Sequence, residues 1–201
     1  MIKKIVTSLY LGFNRIINRT YNGIILGMKN VQFDEFPIIN GRIIIFGTGK
    51  LQLSGLVKIN SSLNANPIGG DQRTIFRILP GAELSIGDQT GISNSTFVCQ
   101  DKITIGKNVR IGGGTKIYDT DFHSLDASLR SNPKTDIPKT RPVLIQDGAF
   151  IGGHSIILKG SNIGKNAIIG AGSVVTGTIP DNEIWGGNPV KFIRKADPEK
   201  S

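Results

Sequence analysis

One cysteine, two histidines and one tryptophan in 201 residues set limits before any pattern is sought. A lone Cys99 cannot close a disulfide within the chain, so a reducing compartment is the natural setting. Two histidines fall short of the three that a carbonic-anhydrase-type metal site needs, and no Cys-x-x-Cys pair replaces them, so no metal is expected. The phosphate-binding Gly-x-x-x-x-Gly-Lys-Ser/Thr loop and the serine elbow of hydrolases are both missing. No stretch reaches the roughly 18 apolar residues that a membrane-spanning helix requires. Aromatics make up only 6% of the chain, whereas 26 glycines are well above the ordinary share, which suggests stacked strands with tight turns. With 38% hydrophobic and 19% charged residues the chain is globular, and its length suits one domain.

Acids are also scarce. Fifteen against 24 lysines and arginines leave a net charge of +9, so an anionic partner is expected. The basic residues are spread along the chain rather than gathered in an arm, which argues against nucleic acid. Lys3, Lys4, Arg15, Arg19 and Lys29 precede the first acid, Asp34, while Ile2, Ile5, Val6, Leu9, Phe13, Ile16 and Ile17 recur at helical spacing. An amphipathic basic helix follows, without the uninterrupted apolar run or cleavage site of a secretory signal. It reads either as a cap over the end of the core or as a peripheral contact with an anionic membrane.

From Ile145 an aliphatic residue recurs every six positions, at Ile151, Ile157, Ile163, Ile169 and Val175. Small residues follow four places later at Ala149, Ser155, Ser161, Ala167 and Ser173. A period of six is neither helical nor a strand alternation, so the chain must turn at a fixed short interval, with Gly or Asn at the corners. Three such units close a triangular coil of about 18 residues, and stacked coils form a parallel β-helix. Upstream the rungs continue through Ile86, Ile92 and Val98 and, after a one-residue slip, through Ile105, Ile111 and Ile117. The tripeptide Gly106-Lys107-Asn108 recurs at Gly164-Lys165-Asn166. The expectation is about six coils over residues 41–179, an N-terminal helical cap over 1–40, and a short tail or helix over 180–201. The pattern stops at 124–142, which carries Pro133, Pro138 and Pro142 and reads as an inserted loop where function would sit.

His123 stands at the entrance to that loop, in Tyr118-Asp119-Thr120-Asp121-Phe122-His123. In an extended segment Asp119 and Asp121 share its parity, so either could orient the imidazole while the other ring nitrogen takes a proton. His154 falls at a variable repeat position and reads as a solvated or packing residue at a corner. Cys99 lies beside a rung and reads as packing, not as a nucleophile.

These residues resemble the hexapeptide-repeat acyltransferases, and among them the sugar O-acetyltransferases of bacterial surface polysaccharide synthesis. The resemblance spans about 84–195 and is strongest over Ile145–Gly152, over Ile169–Thr176 and at Gly187-Asn188-Pro189-Val190-Lys191. It implies an all-β fold, a left-handed parallel β-helix, assembled as a homotrimer in the cytoplasm, with acetyl-CoA as co-substrate between two prisms. It implies His123 as general base, Gly152, Gly153 and Ala171 beside the pantetheine arm, and Thr176, Lys191 and Arg194 near the phosphates and adenine. Asn94 and Asp101 are candidates for holding the acceptor sugar. The pattern departs from the family at Gly177, where a lysine is usual, at Phe150, where tryptophan is usual, and at Trp185, where a small aliphatic is usual. The expected activity is O-acetylation of a sugar nucleotide, lipid-linked sugar or polysaccharide precursor. An amino-sugar N-acetyltransferase and a non-catalytic scaffold or membrane-recruited binding module are the alternatives.

Overall fold

The computed structural model describes residues 2–196, with side chains from residue 12. The expected apolar positions Ile2, Ile5, Val6 and Leu9 lie outside the described side chains. The chain circulates through three sheets of seven, eight and six strands. Gln32–Phe33, Ile38–Gly41 and Ile44–Gly47 form the first coil, and Lys50–Leu53 returns to pair in parallel with Gln32–Phe33. Six strands in the third sheet mark six complete coils. Strands Thr178–Ile179 and Glu183–Gly186 begin another.

Inward rungs stack in register: Ile92, Ile111, Ile151 and Ile169 on the second sheet, and Phe76, Phe97, Ile117, Ile157 and Val175 on the third. All are buried, and Phe76 stacks on Phe97 with centroids 5.1 Å apart. Each buried isoleucine contributes about 1.5–3 kcal/mol, so the column dominates the stability of the prism. The small residue of the repeat also has a visible task. Ser155, Ser161 and Ser173 donate their hydroxyls to the carbonyls of Gly152, Leu158 and Gly170, closing each corner where no larger side chain would fit. Asn108 and Asn166 both take positive φ at the corner after their rung, which explains the repeated Gly-Lys-Asn.

Four expectations change. The rung in the third coil is Phe97, paired with Ile117, and not Val98, so the slip falls between Ile92 and Phe97. The prism begins at Gln32, inside the expected cap of 1–40, because its first strands are joined by turns of irregular length. The expected tail is neither free nor helical: Glu183–Gly186 extends the second sheet and Lys191–Lys195 folds back antiparallel on it. Finally, the first helix, Ile2–Met28, meets the prism through Asn18, Asn22 and Leu26, and not through its apolar stripe.

A second insertion, residues 62–74, leaves the prism between Lys58–Ser61 and Ile75–Ile78 and includes the turn Pro67–Gly69. It climbs the edge between the second and third sheets. Gly69 packs there so closely on Gly113 that a Cβ on Gly113 would lie 2.6 Å from the Gly69 nitrogen.

Candidate active site

The inserted loop leaves the edge between the third and first sheets after Lys116–Tyr118. Phe122 takes a φ of 66° and packs edge-on against Tyr118, 5.0 Å between centroids. This turns the next residue outward: His123 is 67% exposed. Its Nδ1 lies 2.6 Å from Oδ2 of Asp136, whose Oδ1 accepts the Ser124 N–H at 2.7 Å. The hydrogen bond from His123, and then that from Ser124, hold the Asp136 carboxyl below the ordinary carboxylate value. Asp126 caps the short helix Ala127–Arg130, and Arg130 donates to the Ser124 carbonyl at 2.8 Å, so the loop is braced from both sides. Nε2 of His123 has no partner among the described residues and faces open space. An imidazole with one nitrogen fixed by a carboxylate and the other free can accept a proton from a hydroxyl.

The carboxylate that holds His123 is therefore Asp136, and not Asp119 or Asp121. Asp119 is fully buried and accepts the backbone N–H groups of Gln100 and Asp101, both at 2.8 Å. Asp121 forms an ion pair with Lys159 at 2.6 Å. Both fasten the root of the loop. No periodicity marks Asp136 in the sequence; its only signal is that it is a carboxylate within the break. Cys99 is buried, donates to the Glu83 carbonyl at 3.3 Å, and has its thiol pushed far up by burial and then by Asp119, as suits packing.

Gly152, Gly153 and Ala171 stack on a different edge, between the second and third sheets. A Cβ on Gly152 would lie 2.5 Å from the Ala171 nitrogen. Here His154 Nε2 lies 2.9 Å from the Ile68 carbonyl and clasps the 62–74 strap to the coil. Asn94 is buried beneath the strap and donates to the Gln72 carbonyl, while its Oδ1 has no partner.

The expected site residues thus divide between two edges of one prism. His123, Asp101 and Thr176 lie on the edge after the third sheet, and Asn94, Gly152, Gly153 and Ala171 on the edge before it. The width of that sheet separates the groups. Lys191 and Arg194 sit on the terminal antiparallel strand, exposed, opposite Gly186 and Ile184. An open groove of about 530 Å³ on the outer face of the second sheet, lined by Lys58, Asn60, Arg110 and Phe150, contains none of these residues. Hydrogen bonding, and not concavity, marks the candidate site. Among the described residues no group of three or more His, Cys, Asp or Glu is placed to hold a metal ion.

Residues 142–177 match the family model of the bacterial transferase hexapeptide, six repeats. Over these residues the chain carries the hexapeptide repeat of that family. Its fold is the left-handed parallel β-helix. This hexapeptide-repeat protein is 38% identical over 102 residues to galactoside O-acetyltransferase of Lactococcus lactis, covering 51% of this chain and 47% of that one. It is 33% identical over 93 residues to the 2,3,4,5-tetrahydropyridine-2,6-dicarboxylate N-acetyltransferase of Staphylococcus aureus, covering 46% and 33%. A hexapeptide-repeat acetyltransferase of Vibrio cholerae, solved in complex with acetyl-CoA, superposes with a TM-score of 0.53 at 34% identity, over 57% of this chain and 61% of that one. The chain spans about half the length of the curated relatives it matches.

Proposed function

We propose that this hexapeptide-repeat protein is an acetyl-CoA-dependent O-acetyltransferase acting on a sugar hydroxyl of a sugar nucleotide, lipid-linked sugar or polysaccharide precursor. The observation that carries this reading is the His123–Asp136 pair with Nε2 left free. Nε2 takes the proton of the acceptor hydroxyl as its oxygen bonds to the thioester carbonyl. The tetrahedral oxyanion is met by a backbone N–H at the Gly152-Gly153 corner. The C–S bond then breaks, the acetyl ester remains on the sugar, and the CoA sulfur recovers the proton from the imidazolium. No acyl-enzyme forms.

In this reading the divided edges come together between copies of the chain, in a homotrimer, so that His123 of one prism faces the Gly153 edge of the next. Gly152, Gly153 and Ala171 flank the pantetheine arm, and Thr176, Lys191 and Arg194 lie near the phosphates and adenine. The orphaned Asn94 Oδ1 supports a place for a donor from the acceptor sugar, since an unpaired buried acceptor costs about 1–3 kcal/mol unless a ligand fills it. Asp101 is bonded to Asp119 through its backbone and lines the His123 edge. We place the reaction in the cytoplasm, with the first helix offering a contact to the inner face of the membrane.

Calorimetry with CoA, on the wild type and a Lys191→Ala, Arg194→Ala double variant, tests the cofactor assignment. Micromolar binding that weakens in the double variant supports it, and absence of binding to the wild type favours a scaffold. Labelled acetyl-CoA offered with matched hydroxyl and amino sugars separates O- from N-transfer. His123→Ala is expected to lower turnover by about 10²-fold or more with the assembly intact.

A further inference from the structure

The first helix places its polar edge against its own prism. Asn22 donates to the Gly41 carbonyl at 2.9 Å and accepts the Ile43 N–H at 3.2 Å, while Arg42 donates to Asn18 Oδ1 at 2.9 Å. Leu26, one turn further on, is fully buried on the same edge. The helix cannot roll without breaking these bonds. Phe13, Ile16, Ile24 and Met28 are consequently directed away from the prism, at 64, 67, 57 and 73% exposure. In the sequence, Ile2, Ile5, Val6 and Leu9 continue the spacing of Phe13 and Ile16 toward the N-terminus. From Phe13 to Met28, about 22 Å of helix, the apolar stripe is therefore left uncovered by the protein's own core.

Charge selects the partner. Arg15 is exposed and Lys3 and Lys4 precede it in the sequence, whereas Arg19 lies over the Phe36 ring and Lys29 donates to the Gly47 carbonyl; no acid precedes Asp34, so the helix keeps a net positive charge and the helix of a second copy would bring like charges together. A surface of anionic lipid satisfies both the apolar stripe and the positive charge. The helix does not cross the bilayer, since no helix among the described residues is long and apolar enough.

We propose that the outward face of the helix Ile2–Met28 lies in the interfacial layer of an anionic bilayer. The prism then stands with its first coil toward the lipid, and the His123 edge, in the fourth coil, begins about 14 Å above the first at roughly 4.8 Å per coil. This rests on the membrane contact of the proposed function and not on its acetyl-transfer chemistry, so it can fail while acetyl transfer stands.

The test is co-sedimentation of the full chain with vesicles of phosphatidylcholine alone and of equal parts phosphatidylcholine and phosphatidylglycerol. Wild type and a Phe13→Ser, Ile16→Ser double variant are compared, with sedimentation velocity, thermal melting and CoA calorimetry on the same preparations. We expect binding to the anionic vesicles, about tenfold weaker for the zwitterionic ones and for the double variant, at unchanged mass and melting temperature. Absence of vesicle binding, or equal binding by wild type and variant, overturns the proposal. So does a change of assembled mass in the variant, which would place the stripe between copies. If vesicle binding fails while CoA binding persists, this proposal falls alone.

Discussion

His123 Nδ1 and Asp136 Oδ2 stand 2.6 Å apart across 13 residues, so one inserted loop supplies both a candidate base and the carboxylate that orients it. Asp136→Asn is expected to lower kcat by about tenfold or more while leaving CoA affinity unchanged. Asp121→Asn, which touches Lys159 and not the imidazole, should affect kcat less. Steady-state kinetics on the two variants would show the order, and the reverse order would return Asp121 to the site.

Because its pKa in the folded loop lies below the ordinary 3.8, Asp136 stabilises the loop above that value. This contribution is lost as the pH falls through the lower, folded value. The protection of the Ser124 amide, measured as its exchange rate relative to the intrinsic rate at each pH, should fall as the pH drops below 3.8, and in Asp136→Asn it should be low throughout.

Asp119→Ala removes both acceptors from the N–H groups of Gln100 and Asp101 at a buried position. The expected cost is about 2 kcal/mol or more in urea unfolding. The folded fraction should retain CoA binding, since Asp119 acts on the root of the loop and not on a ligand.

Gly113→Ala is expected to loosen the strap without melting the coils. The added Cβ would meet backbone of Gly69 at 2.6 and 2.9 Å, so the strap has to lift away at a cost of about 1–3 kcal/mol. Tryptic cleavage at Arg73 should then accelerate, while the thermal midpoint of the prism moves only slightly.

Cys99 should not react with thiol reagents at neutral pH in the folded protein, because burial both shields the sulfur and raises its pKa. It should react fully once denaturant opens the coils, and mass spectrometry after alkylation reads both states.

The rungs from Ile145 to Val175 are legible in the sequence because every corner there takes the same number of residues, so a period of six survives intact. The first coil lacks that regularity: Gln32–Phe33 and Ile38–Gly41 are separated by Asp34-Glu35-Phe36-Pro37, and the repeat is lost. Val98, also buried, masks Phe97 at the step where one corner is a residue shorter. The strap leaves no periodic signal either. Its Ser, Asn, Pro and Gly residues read as ordinary turns, and only three-dimensional contact shows that Gly69 needs Gly113. His123 is legible from its residue type and its place at the break, but its partner Asp136 comes from a loop whose course follows capping bonds and not periodicity.

The separation of His123 from Gly153 by the width of one sheet gives mixed assemblies a distinctive behaviour. If one active centre draws His123 from one chain and the Gly153 edge from its neighbour, two differently disabled chains can rescue each other. Co-assembly of His123→Ala chains with chains altered at the Gly153 edge would produce a minority of centres with both halves intact. Either chain by itself would produce none. Dilution of the wild type below its assembly concentration would abolish activity while the β-helix remained folded, and dose dependence would follow the trimer and not the chain.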